Sequence, residues 1–227
     1  MTMREQGVEM SQQRAVCLLS GGPDSVVAAA LARDAGFELY SLYVDYGQRT
    51  AARERTQAEA TAKWLNVREL RTAQLPFLGQ VGGSAVTDDS VRITNETRQL
   101  EYVPFRNTVF NSLAIAWAEV LDASRVVIGS IGGPWITPDN SPTYFKALNA
   151  LVAEGSRSTI EVWAPLGHMT KKEVISTGLD LSVPFRLTWS CQNDADVPCF
   201  ECNNCLDRAQ AFEALKAVDP LCLRGPK

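Results

Sequence analysis

The sequence predicts an α/β fold built on a doubly wound parallel sheet, and two observations carry that expectation. Short apolar runs alternate with helix-forming segments from residue 14 onward, and the first of these runs leads straight into a glycine pair that opens an alanine-rich stretch. A third observation adds an appendage: four cysteines crowd between Cys191 and Cys205, which predicts a small zinc-binding helical segment at the C-terminal end.

The elements follow in order. Arg14 to Leu19 is a short apolar strand, and Ser25 to Arg33 reads as a helix closed by Gly36. Phe37 to Val44 is a second strand, and Thr50 to Leu65 has the alanine, lysine and glutamate content of a second helix. Val67 to Leu70 is read as a third strand, Phe105 to Leu121 as an apolar helix, and Arg125 to Gly129 as a strand that enters another glycine loop. Gln74 to Tyr102 shows no clear period and is rich in Gly, Asp, Thr and Ser, so it is expected to be a mobile surface excursion. A helix is expected from Thr170 to about Gly178, and a closing helix from Leu206 to Ala217.

With 227 residues, 45% of them hydrophobic, the chain is sized for one domain with a sizeable core. The expected division is a main body over 14–185, a cysteine-bearing segment of the same domain over 186–220, and a flexible N-terminal stretch over 1–13. A net charge of −4 argues against a broad cationic surface for nucleic acid and favours a small-molecule substrate. No apolar run reaches the roughly 18 residues of a membrane span, and residues 1–13 carry no signal-peptide core, so a cytoplasmic protein without a membrane partner is expected.

The run Ser20-Gly21-Gly22-Pro23-Asp24-Ser25 is the sharpest chemical signal. Directly after a strand and ahead of a helix, it offers backbone N–H groups and two hydroxyls where the helix dipole favours a phosphate. The glycines allow close backbone approach, Ser20 and Ser25 can donate to oxygens, and Asp24 is expected either to cap the helix or to help hold magnesium. It is neither a Walker loop nor a dinucleotide fingerprint. Cys191, Cys199, Cys202 and Cys205 form C-x7-C-x2-C-x2-C, a spacing that closes a tetrahedral shell of thiolates and leaves no position for water, so a structural zinc is expected. Cys17 and Cys222 read as non-ligands, Cys17 as a core residue.

The glycine hexapeptide resembles the PP-loop of the ATP pyrophosphatases, and the whole set of motifs resembles the 7-cyano-7-deazaguanine synthase family within it. That likeness runs from about Ala15 to Phe212 and rests on Leu19 to Ser25, Asp45-Tyr46-Gly47-Gln48-Arg49, Val103-Pro104 with Arg106-Asn107-Thr108, Ala164-Pro165-Leu166 with Thr170-Lys171, and Leu187 to Cys191 with the cysteine knuckle. The resemblance implies a HUP-like sheet, ATP with magnesium as co-substrate, and a deazapurine carboxylate that is adenylated, converted by ammonia to an amide and dehydrated to a nitrile with a second ATP. It also implies a homodimer. Carried onto this chain, it implies catalytic roles for Ser20, Asp24, Ser25 and Arg106. Nucleotide-binding roles are implied for Leu19, Ser20, Gly21, Gly22, Asp24, Ser25, Asp45, Gln48, Arg49, Asn107, Gly129, Asp139 and Lys171.

On the residues alone, Arg49 and Arg106 suit phosphate or carboxylate, while Gln48 and Asn107 offer paired donors and acceptors to a purine edge or ribose. Each arginine, and Lys171 with Lys172, also reads as plain surface charge; His168 reads as a capping or packing residue, and Trp189 as packing rather than stacking. The chain departs from the family's pattern at Ser130 to Ser141, where Pro138 and Asp139 remain but the expected cysteine and arginine do not, at Phe105 in place of glycine, and at Thr50 in place of histidine. Because that loop follows a parallel strand, two other readings are carried: a relative that stops at the amide or transfers the acyl group to another amine, on a protein or a metabolite, and a non-catalytic nucleotide-binding module. A tRNA-thiolating role is disfavoured by the acidic charge.

Overall fold

The computed structural model describes residues 12–133 and 137–221. One five-stranded sheet has the order β3-β2-β1-β4-β5, made of β1 (Arg14–Leu18), β2 (Glu38–Asp45), β3 (Glu69–Gln74), β4 (Arg125–Val127) and β5 (Glu161–Trp163). Every pairing is parallel. Among the described residues seven α-helices accompany it: α1 (Pro23–Asp34), α2 (Ala51–Leu65), α3 (Pro76–Val81), α4 (Arg106–Val120), α5 (Pro142–Gly155), α6 (Lys171–Asp180) and α7 (Asn203–Ala214). The chain runs outward from β1 to β3 and then returns to β4 on the other side of β1, so the winding reverses between β1 and β4. In such sheets a ligand crevice opens at that reversal, beyond the carboxyl ends of the strands.

Side-chain alternation explains the two layers. In β1, Ala15 and Cys17 join the core under α1, α2, α6 and α7, while Val16 and Leu18 join the core under α4 and α5. The central strands are buried on both faces, which is why β1 and β2 read as near-continuous apolar runs. Burial pushes the Cys17 thiol up to about 12, as suits an inert core residue.

Several expectations need correction. The third strand lies at Glu69–Gln74 rather than 67–70, because its edge position leaves a polar sequence with little apolar signature. Helix α5 and strand β5 were not anticipated. Asp24 does not cap α1; the capping position is Gly22, with Pro23 in the first turn, and the Asp24 carboxylate is engaged by Lys171. The 74–102 stretch is not a loose excursion, since Ala85, Val86, Ile93 and Val103 are buried in a third core with Trp189, Cys191, Cys202 and Cys205. Arg49 stitches it down by donating to the carbonyls of Ala85, Asp88 and Val91, and Asn193 bonds both backbone groups of Ile93 at 3.2 and 2.8 Å. The N-terminal expectation over 1–13 falls largely outside the described residues, as do Pro134, Trp135, Ile136 and Cys222.

A buried ion pair locks the cysteine segment to the sheet domain. Arg208 of α7 meets Asp219 through two bonds of 2.8 and 2.9 Å and donates to the Thr188 hydroxyl and the Phe185 carbonyl. Trp189, next in the chain, donates its backbone N–H to the Gly21 carbonyl at 3.0 Å.

Gly129, two residues after β4, lies against the start of α1, where a Cβ would lie 2.6 Å from the Ser25 nitrogen and 2.7 Å from the Asp24 carbonyl carbon. Backbone cannot yield as a flexible side chain does, so Gly129→Ala is expected to destabilise the protein by about 1–3 kcal/mol. Thermal unfolding checks this, and an unchanged midpoint contradicts it.

Candidate active site

At the carboxyl ends of β1, β2 and β4 lies a cleft of about 320 Å3. Its floor is the glycine loop. Ser25 Oγ donates to the Gly22 carbonyl at 2.9 Å and accepts the Ser20 N–H at 3.3 Å, while Ser20 Oγ accepts the Gly22 N–H at 3.3 Å. These bonds shape a concave backbone at the N-terminus of α1, a setting that favours an anion. Gly21 has φ +76°, and a Cβ there would sit 2.6 Å from Gln57 Cβ and 2.7 Å from the Ala58 nitrogen of α2, so only glycine fits.

Across the loop, Lys171 Nζ meets both Asp24 carboxylate oxygens at 2.7 and 2.6 Å. Lys171 stands in the first turn of α6, a helix start fixed by the reciprocal capping of Thr170 and Glu173. Thr170, rather than the exposed His168, supplies that cap. The cation therefore reaches the glycine loop from a rigid element, and it offsets the charge of Asp24 until a ligand competes for either group.

The opposite wall is a buried polar cluster. Arg106, in the first turn of α4, donates to the Tyr46 hydroxyl at 2.9 Å, and its guanidinium lies 5.4 Å from the Tyr46 ring centroid. Glu54, on α2, accepts from Thr50 Oγ1 at 2.6 Å and from Gln48 Nε2 at 2.9 Å. Burial pushes the Glu54 carboxyl up, against the bonds from Thr50 and Gln48 and the charge of Arg106. Burial also raises Tyr46, again opposed by Arg106. Burial works against the charge of Arg106, but Tyr46, Glu54 and Asp139 outweigh it and its pKa ends raised.

Of the residues singled out in the sequence, Leu19, Ser20, Gly22, Asp24, Ser25, Arg106, Asn107, Gly129 and Lys171 line this one cleft. Five stand elsewhere. Gly21 lies behind the loop against α2. Asp45 pairs with Arg55 at 2.7 Å. Gln48 is buried and spent on the Tyr46 N–H, the Tyr43 hydroxyl and Glu54, so it offers no free edge to a purine or ribose. Arg49 is occupied by the carbonyls of the 85–91 segment rather than by the cleft. Asp139 accepts the Thr108 N–H at 3.2 Å, which supplies α4 with the cap that Phe105 cannot give, and its carbonyl accepts from Asn107. Sequence reasoning missed Glu54 and Phe110, and Trp189, for which packing is the favoured of two readings beside stacking on a base, lines the cleft.

The four cysteine sulfurs lie within 4.8 Å of one another, three of them on buried residues. Zinc–sulfur bonds of about 2.3 Å set tetrahedral sulfur pairs about 3.8 Å apart, so small movements seat the ion and the donor set fits zinc. Backbone N–H groups of Glu201 and Cys202 point at the Cys199 sulfur, at 3.5 and 3.3 Å, a knuckle shape that holds a thiolate. Hydrogen bonds from Cys191 and Cys205 hold Cys202 at about 2, while the bond to Cys202 pushes Cys191 up to about 12 and bonds to both neighbours raise Cys205. Thiols this close together favour exchange of their protons for a divalent cation. The site is structural, since four sulfurs fill the shell.

The profile described as "Queuosine biosynthesis protein QueC" matches residues 14–216. The chain is 40% identical over 222 residues to the 7-cyano-7-deazaguanine synthase of Acidobacterium capsulatum, covering 92% of this chain and 96% of that protein. It is 41% identical over 218 residues to the enzyme of the same name from Koribacter versatilis, covering 92% of each chain. A crystal structure of a 4-thiouridine synthetase in complex with RNA and ATP superposes with a TM-score of 0.53 at 18% identity over 90% of this chain and 51% of that one, a likeness of fold.

Removal of the metal by a strong chelator is expected to lower the thermal midpoint, and Cys202→Ser to reduce bound zinc from one ion per chain to well below that. Elemental analysis and thermal unfolding test this, and a zinc-free protein of unchanged stability contradicts it.

Proposed function

The chain belongs to the family described as queuosine biosynthesis protein QueC, and from that premise we infer that it is an ATP-dependent carbon–nitrogen ligase converting 7-carboxy-7-deazaguanine and ammonia to 7-cyano-7-deazaguanine. The observation that carries the reading is the single cleft in which the glycine-loop hydroxyls, Asp24, Lys171 and Arg106 meet.

The substrate carboxylate attacks the α-phosphate of ATP, forming an acyl-adenylate and releasing pyrophosphate. Ammonia displaces AMP and leaves a proton and an amide; the amide oxygen attacks the α-phosphate of a second ATP and releases a second pyrophosphate, and loss of AMP and two protons gives the nitrile. In this reading the backbone of residues 20–25 and the Ser20 and Ser25 hydroxyls bind the leaving pyrophosphate at the α1 N-terminus. Lys171 turns from Asp24 to the phosphates, and freed Asp24 faces the magnesium that ATP brings. Arg106 faces the charge that builds on the attacked phosphorus, from a half-buried position where that attraction is less screened than at an open surface. Asn107, fixed by the Asp139 carbonyl, orients beside it. The enzyme is placed in the cytoplasm and read as a homodimer, which sedimentation tests.

Incubation with the acid, ATP, magnesium and ammonia is expected to release two AMP per nitrile formed, as read by mass spectrometry and nucleotide assay. A persistent amide sinks the nitrile assignment in favour of an amide-forming or amine-transferring ligase, and the absence of AMP release favours a binding module. Asp24→Ala is expected to lower turnover by at least about 100-fold, the scale of losing one positioned electrostatic group.

A further inference from the structure

We propose that Glu54 is the specificity residue for the acid, accepting the ring N–H and the exocyclic amino N–H of its 2-aminopyrimidinone edge. The assignment rests on the functional reading above. Glu54 lines the cleft, and each of its oxygens is held from behind by one donor, Thr50 Oγ1 on Oε1 and Gln48 Nε2 on Oε2. A carboxylate oxygen accepts more than one hydrogen bond, so one acceptor position per oxygen remains for a ligand. Burial raises the pKa of this carboxyl, which marks a group that has lost water without full replacement. Tyr46 and Phe110, with ring centroids 5.4 Å apart, line the same cleft and offer apolar surface to a flat ring. Trp189 lines it too, and its buried indole N–H has no hydrogen-bond partner among the described residues.

The cleft must hold two heterocycles, and the chemistry of Glu54 separates them. Adenine presents an amino group beside a ring nitrogen that is an acceptor, which would set a lone pair against the carboxylate. The 2-aminopyrimidinone edge presents two adjacent N–H donors, the arrangement a carboxylate pairs with bidentately. A triphosphate would be repelled. Glu54 thus keeps the acid's ring at the α2 wall and leaves the glycine loop to ATP.

The test compares the acid with its analogue lacking the 2-amino group. For the wild-type protein the analogue's KM is expected to be about 10- to 100-fold higher, the usual worth of a lost bidentate contact, with the KM for ATP unchanged. Glu54→Gln should raise the KM for the natural acid by a similar factor, bring the two acids within about threefold of each other, and leave the KM for ATP and the thermal midpoint near wild type. The analogue on wild-type protein keeps the assignment testable if the variant does not fold. Equal KM for the two acids on wild-type protein overturns the assignment alone, as does a folded Glu54→Gln that keeps the wild-type preference. Wild-type protein that releases no AMP with either acid overturns the functional reading, and this assignment with it.

Discussion

Three backbone segments touch at the glycine loop with no room for a side chain between them. Gly21 lies against Gln57 and Ala58 of α2, Gly129 against Asp24 and Ser25 of α1, and Trp189 donates its N–H to the Gly21 carbonyl. The loop is therefore held on three sides by the second helix, the fourth strand and the segment that leads to the cysteines. A phosphate cradle made of backbone works only if the backbone does not move when the anion arrives, because reorganisation would consume the interaction. Here the rigidity comes from packing at fixed points rather than from the loop's own four side-chain hydrogen bonds, which are 2.9 to 3.3 Å long.

The same contacts give the zinc segment a part in the architecture of the cleft. Cys191 and Gln192 line the cleft. Arg208 and Asp219, both buried, join α7 to Phe185 and Thr188, and removal of one partner from such a buried pair costs about 3–5 kcal/mol. The 85–103 stretch packs on the cysteines from the other side, so the cysteine cluster anchors the segment that follows β3 as well as the one that follows α6. A metal held there organises two loops beside the cleft, which is a sufficient physical reason for a tetrahedral site that does no chemistry itself.

Much of this was legible in the residues. The strands β1, β2 and β4 and the helices α1, α2 and α4 carry apolar patterns strong enough to place within a few residues, and the hexapeptide and the cysteine spacing are specific because each residue type answers a chemical need. What escaped has particular causes. β3 is an edge strand, Glu-Leu-Arg-Thr-Ala-Gln, with no apolar run to see. β5 has three residues, too few for a period to show; α5 does carry a legible signal, the cap Ser141, the first-turn Pro142 and the buried stripe Phe145, Leu148 and Val152, directly after the altered loop. Gln48 and Arg49 were assigned outward because amide and guanidinium groups suit ligands; their neighbours Tyr43, Glu54 and the 85–91 carbonyls, which claim them instead, are distant or unremarkable in sequence. Glu54 had a signal that was not used. The buried face of α2 comprises Ala58, Thr61, Ala62 and Leu65, and one helical step back from Ala58 falls on 54, so a glutamate occupies a position of the core-facing stripe.

The altered loop after β4 can now be divided by what its residues touch. Ser130, Thr137 and Asn140 line the cleft. Asp139 faces away into the N-terminus of α4, and Ser141 accepts the Tyr144 N–H to start α5. Asp139 is needed there because α4 begins at Phe105, which sits at φ +58° with an exposed side chain and no cap to offer. Its carboxylate satisfies one of the first free N–H groups of α4, meets the positive end of that helix's dipole, and faces the charge of Arg106. The Pro138-Asp139 pair that persists in an otherwise changed loop is thus the part that fixes Arg106 and Asn107, while the residues that differ are free to reshape the wall beside them. On the proposed reading, variation at Ser130, Thr137 and Asn140 changes the wall of the cleft and leaves the helix that presents the arginine unchanged.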